Sequence, residues 1–152
     1  MSLPVLSYWV PGIAVAKGSM RAFYVKNLNR AVMTNDSSKT KSWASVVSLA
    51  TAAEVQRTLW PITERAVSVR LRFNLPRPAG HYGSGKNAGK VKASAPTNIV
   101  TKPDVDKLTR CLLDALTGIV WRDDSQVVAL DVRKDYAIGQ PGVAITVEQY
   151  AP

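Results

Sequence analysis

Val67-Ser68-Val69-Arg70-Leu71-Arg72-Phe73-Asn74-Leu75 alternates apolar and polar residues without a break. Successive side chains of an extended chain point to opposite faces, so this stretch predicts a strand. Its valines, Leu71, Phe73 and Leu75 face a core, and Arg70 and Arg72 face away from it. Upstream, Trp43, Val46, Val47 and Ala50 recur at spacings of three and four. That spacing predicts an amphipathic helix from Asn35–Asp36 to near Leu59, stopped before Pro61. Downstream, residues 76–102 mix prolines, glycines and lysines with almost no aliphatic periodicity and read as one long basic loop. A loop of this length within one compact domain is usually functional or disordered.

The second helix opens at Pro103–Asp104, carries Val105, Leu108, Leu112, Ala115 and Leu116 as its apolar stripe, and stops at Gly118. Two strands then close the chain, Val128/Leu130/Val132 alternating with Asp131 and Arg133, and Val143/Ile145/Val147 alternating with Thr146 and Glu148. Residues 3–16, broken by Pro4, Pro11 and Gly12, suit an edge strand followed by a turn. A short strand pair fits Ala22–Val25 and Ala31–Met33. The order predicts an α/β or α+β layer structure, two main helices on a mixed sheet, in a single domain spanning 1–152.

Twenty basic against eleven acidic side chains give a net charge of +9, which points to a polyanionic partner. Between Glu64 and Asp104 there is no acidic residue, while Arg65, Arg70, Arg72, Arg77, Lys86, Lys90, Lys92 and Lys102 all fall there. One cysteine, Cys111, excludes an internal disulfide and a thiolate zinc cluster. The longest apolar runs, such as Ser45–Ala53, are too short to cross a bilayer, and no signal segment opens the sequence, so a cytoplasmic protein is expected.

Two acidic pairs flank the second helix: Asp104 with Asp106, and Asp123 with Asp124. Asp106, Arg110 and Asp114 follow at intervals of four, in one line beside the apolar stripe. Phosphodiester hydrolysis needs such a set, because hard Mg²⁺ ions bind carboxylate oxygens and a nearby cation offsets charge developing on phosphate. Lys107 and Arg110 stand where that cation is needed. A plainer reading makes Asp104 an N-cap and Asp123-Asp124-Ser125 a turn. Two pairs around one helix in a basic chain favour catalysis. Lone His81 reads as a loop residue, and Trp9, Trp43 and Trp60 as core or interface.

The blocks Lys102-Pro103-Asp104-Val105-Asp106-Lys107-Leu108, Leu113-Asp114-Ala115-Leu116-Thr117 and Trp121-Arg122-Asp123-Asp124-Ser125-Gln126-Val127 resemble the RusA family of Holliday-junction resolvases. Val10-Pro11-Gly12 and Ala16-Lys17-Gly18-Ser19-Met20-Arg21 resemble its phage-borne members. The resemblance implies catalytic aspartates at Asp104, Asp106 and Asp124 and selects Asp124 over Asp123, which as the other half of that acidic pair is a further candidate metal ligand. It puts Arg110 where the family has a catalytic lysine, and Lys107 where asparagine is common. Arginine keeps the charge but does not readily give up a proton, so an electrostatic role survives the change. Lys107 shares that task. Lys17 and Arg21 join Arg70, Arg72, Arg77, Lys86, Lys90, Lys92 and Lys102 as candidate DNA contacts. The resemblance further implies a RusA-like mixed sheet, a homodimer, Mg²⁺ as cofactor with Mn²⁺ as substitute, and paired symmetric nicks across a four-way junction, in a bacterial or phage-infected cell. The competing expectations are a branched-DNA or flap nuclease of looser substrate choice, and a nucleic-acid-binding module without catalysis.

Overall fold

The computed structural model describes residues 3–18, 21–25, 30–34 and 38–151, and side chains for 3–18 and 39–151. Its elements run β1 (Val5–Pro11), β2 (Arg21–Val25), β3 (Arg30–Thr34), α1 (Ser38–Thr58), β4 (Val67–Leu75), α2 (Val105–Leu116), β5 (Val127–Tyr136) and β6 (Gly142–Gln149). Four strands form one sheet in the order β1-β6-β4-β5. β4 and β5 are parallel, and the other two pairings are antiparallel. β2 and β3 form a separate two-stranded sheet among the described residues. The result is the mixed-sheet α+β fold that the periodicities predict. The predicted helix start at Asn35–Asp36 lies outside the described residues.

β4 sits at the centre because its alternation is complete: Val67, Val69, Leu71, Phe73 and Leu75 are all buried. Burying each such side chain contributes about 1.5–3 kcal/mol. α2 lays Leu108, Cys111, Leu112, Ala115 and Leu116 into the same core. α1 adds Trp43 and Val47, with Thr40 and Thr51 on the same buried face. Ser48 Oγ donates to the carbonyl of Ala115 at 2.9 Å, tying the two helices together. Trp60 Nε1 donates to the carbonyl of Val120 at 3.1 Å and anchors the exit from α1. Gly118 ends α2 in the left-handed region at φ +84°, where a side chain would strain the backbone. Gly142 has a different reason: an added Cβ would lie 2.3 Å from the ring of Trp9.

Two differences from the sequence reading matter for the site. Alternation predicts a half-buried β5, yet Val128 is 62% and Leu130 48% exposed. β5 is the last strand of the sheet, with a neighbouring strand on one side only, and Leu130 borders an open cleft between β5 and α2. A register shift opposite Val67/Ser68 also moves Val128 out of the ladder. The predicted long loop is present but ordered. It carries two short 3₁₀ turns, Ala79–His81 and Gly85–Asn87, and bridges Tyr82 to Val91 and Gly83 to Ala88.

Candidate active site

α2 begins where Leu108 N–H bonds to the carbonyl of Asp104 at 3.0 Å. Asp104 is the N-cap by backbone shape, but its side chain makes no capping bond. Its carboxylate lies 3.5 Å from Lys107 Nζ instead. Asp106 falls in the first turn, where the helix dipole favours a negative charge. Val105, Asp106, Thr109, Arg110 and Leu113 of α2 face Leu130 and Val132 of β5 and Asp124 across an open cleft of about 550 Å³. The exposed Leu130 lies on this cleft.

The line Asp106, Arg110, Asp114 divides. Asp114 is taken by Lys17, Nζ to Oδ2 at 2.6 Å, and Lys17 N–H also bonds to the carbonyl of Lys107 at 3.1 Å. Asp106 and Arg110 share the cleft, and among the described residues neither makes an ion pair or a side-chain hydrogen bond.

The turn after α2 separates the second acidic pair. Asp123 Oδ1 accepts from Ser125 N–H at 2.8 Å, and Gln126 Oε1 accepts from the N–H of Asp123 at 2.9 Å, a reciprocal cap. Those Ser125 bonds hold the Asp123 carboxyl below the usual carboxylate range. Gln126 Nε2 also donates to the carbonyls of Thr63 and Arg65, both at 2.9 Å, pinning the turn beside the start of β4. Asp124 points the other way, into the cleft. Trp121, fully buried, donates through Nε1 to Thr117 Oγ1 at 3.1 Å and to Asp124 Oδ1 at 3.4 Å. The Thr117 hydroxyl contacts the same carboxylate oxygen. The plain turn reading therefore fits Asp123, and Asp124 is the aspartate of that pair that reaches the cleft.

The donor set suits a hard cation: two carboxylates on one open cleft match Mg²⁺, which takes one or two protein carboxylates and keeps waters and phosphate oxygens for the rest. The expected joint cluster of Asp104, Asp106, Asp123 and Asp124 does not form, since no three acidic, histidine or cysteine side chains gather around one point among the described residues. Asp104 is drawn to Lys107, and Asp123 is spent on the cap.

The expected DNA contacts are scattered. Lys86, Lys90, Lys92 and Lys102 are exposed. Arg77 donates to the carbonyl of Pro96 at 2.9 Å and lies 4.1 Å over the Tyr136 ring, which His81 meets edge-on, so all three fasten the loop. Arg70 and Arg72 lie on the sheet face turned away from the helices and both pair with Asp131. The side chain of Arg21 is outside the described residues. Thr117, Trp121 and Gln126 fall inside the motif blocks without being singled out there. Lys134, which donates to the carbonyls of Thr101 and Pro103, has no motif signal at all.

Two carboxylates and a guanidinium border an open cleft on a basic α+β layer, a combination compatible with phosphodiester chemistry. Residues 14–148 match the family Endodeoxyribonuclease RusA, and the chain belongs to that family of nucleases. It is 31% identical over 146 residues to the uncharacterized protein YqaN of Bacillus subtilis (strain 168), spanning 95% of this chain and 96% of that one. No helix among the described residues is long and apolar enough to cross a membrane.

Proposed function

We propose that this chain is a Mg²⁺-dependent, structure-selective endodeoxyribonuclease that resolves four-way DNA junctions by paired symmetric nicks, acting as a homodimer in the cytoplasm of a bacterial or phage-infected cell. The observation that carries the proposal is the convergence of Asp106, Asp124 and Arg110 on one cleft. Asp106 and Asp124 would hold the ion, with Asp104 next to them at the helix mouth. When bound, Mg²⁺ supplies Lewis acidity toward the scissile phosphate.

The protein's own groups do the rest. Arg110 meets the non-bridging phosphate oxygens and offsets charge that builds in the transition state. Trp121 and Thr117 hold Asp124 in place from within the core. Lys86, Lys90, Lys92 and Lys102 attract the phosphate backbone towards carboxylates that would otherwise repel it. A two-fold dimer presents two equal sites to two equivalent strands, which paired nicks require. The exposed Val128 on the last strand of the sheet supports a partner at that edge.

A synthetic four-way junction and a linear duplex of the same sequence, each with Mg²⁺ or EDTA, test the proposal. Symmetric nicks in the junction alone, with Mg²⁺ alone, are expected. Mg²⁺-independent binding without cleavage would overturn it in favour of a binding module, and equal cutting of flaps and junctions would overturn the selectivity.

A further inference from the structure

Along its helix-facing side, β5 presents Leu130, Val132, Lys134 and Tyr136 in turn. Leu130 and Val132 line the cleft, and Tyr136 supports Arg77 and His81 of the long loop. Lys134, opposite Phe73 in the parallel register, is the charged member of an otherwise apolar or aromatic row. Its ammonium donates to the carbonyl of Thr101 at 2.9 Å and to that of Pro103 at 2.8 Å.

Those two carbonyls bracket Lys102 and lead directly into Asp104. Among the described residues, no backbone–backbone hydrogen bond involves residues 97–103. The side chain of Ile99 is buried, while Asn98, Val100, Thr101 and Lys102 are exposed. The approach to the helix is therefore held by one apolar anchor and by the two bonds from Lys134. A cation that donates to carbonyls without offsetting an acid has a limited range of tasks. It neither contacts the cleft nor pairs with a carboxylate; it fixes the backbone from which the catalytic carboxylates project. Displacements of about 1 Å at such groups can cost 10²-fold in rate.

We propose that Lys134 is a positioning residue: by binding the Thr101 and Pro103 carbonyls from β5, it sets the first turn of α2, and with it Asp104 and Asp106, against Asp124. This rests on the nuclease reading above and assigns one more residue to that site. Lys134 acts from the same strand that Asp124 precedes, so one strand governs both halves of the acidic set.

The test uses the full chain with Lys134→Met, which keeps the length of the stem and removes the donors, and Lys134→Arg, which keeps donors. Single-turnover cleavage of a four-way junction should fall by about 10-fold to 10²-fold in Lys134→Met, with junction affinity unchanged, and recover in part in Lys134→Arg. A second readout needs neither metal nor DNA: amide hydrogen exchange. The Leu108 amide, bonded to Asp104, should exchange faster in Lys134→Met, while the Thr117 amide at the far end of α2 stays protected. Parental cleavage by Lys134→Met would overturn the proposal, as would loss of protection along the whole helix, which marks a merely structural role. If the parental chain cuts no branched DNA, the nuclease reading fails on its own. The exchange comparison then still decides whether Lys134 orders the start of α2, and unchanged Leu108 exchange would overturn that.

Discussion

On the sheet face turned from the helices, Arg72 closes on Asp131 through two bonds of 3.1 and 2.8 Å, and Arg70 adds a third at 3.3 Å. On the helix face, Asp106, Arg110 and Asp124 border one cleft with no bond among them. Both regions are built from aspartate and arginine. In the first, each charge is answered within the chain. In the second, the charges stand together without an ion pair among them, the arrangement that the proposed reactive site requires.

The sharpest break between the two regions is asparagine at one aspartate in each. Asp106→Asn should lower single-turnover junction cleavage by on the order of 10²-fold to 10³-fold, with binding retained or tightened because a charge that repels phosphate is gone. Asp131→Asn should leave cleavage unchanged. Equal losses would mean that the two clusters do not differ in kind.

Arginine sharpens the comparison next. Arg110→Ala should cost about 10²-fold, and Arg110→Lys should keep much of the activity if charge alone is needed. Lys107→Ala, losing a cation that already serves Asp104, should cost less than Arg110→Ala. If Lys107→Ala is dead and Arg110→Ala active, the cation is misassigned.

The basic loop should move binding and not chemistry. Neutralising Lys86, Lys90 and Lys92 together should reduce the salt slope of junction binding by up to about three counterions, leaving the rate at saturating protein intact. A binding titration across salt concentrations measures this directly.

The smallest effect is on acid stability. Hydrogen bonds from Arg72 hold the Asp131 carboxyl below its ordinary value of 3.8. A carboxylate lowered in the folded state contributes stability that is complete above that ordinary value and lost as pH falls through the lowered one. Exposure to solvent makes the contribution slight. Asp131→Asn should therefore lower stability slightly at neutral pH, a difference that fades below about pH 4 and flattens the acid limb of a thermal-unfolding profile.

Much of this is legible in the sequence. The unbroken alternation of Val67–Leu75 and the three-and-four spacing of α1 and α2 depend only on local geometry, and those elements stand where expected. The exposure of β5 does not follow from alternation, because a strand's pattern is silent on whether it ends the sheet. Arg70 and Arg72 read as DNA contacts in the sequence, which does not reveal that the parallel register sets Arg70 opposite Asp131, a pairing between residues 61 apart. Asp123 and Asp124 are equivalent by sequence spacing; the resemblance favours Asp124, and the structure separates them by the cap of Asp123 with Ser125 and Gln126 and the place of Asp124 on the cleft. Lys134 leaves one trace, a charge at an inward position of an alternating strand; its partners are backbone carbonyls, which no side-chain pattern reveals.

The two adjacent aspartates give the most direct test of the central claim, that the cleft-facing carboxylates carry the chemistry. Single-turnover cleavage of a four-way junction in Mg²⁺ should be abolished in Asp124→Asn, whose carboxylate meets Trp121 and Thr117 at the cleft. Asp123→Asn, which alters only a turn cap, should cut close to the parental rate. If Asp123→Asn is dead while Asp124→Asn cuts, or if both cut as the parent does, the cleft is not the catalytic centre.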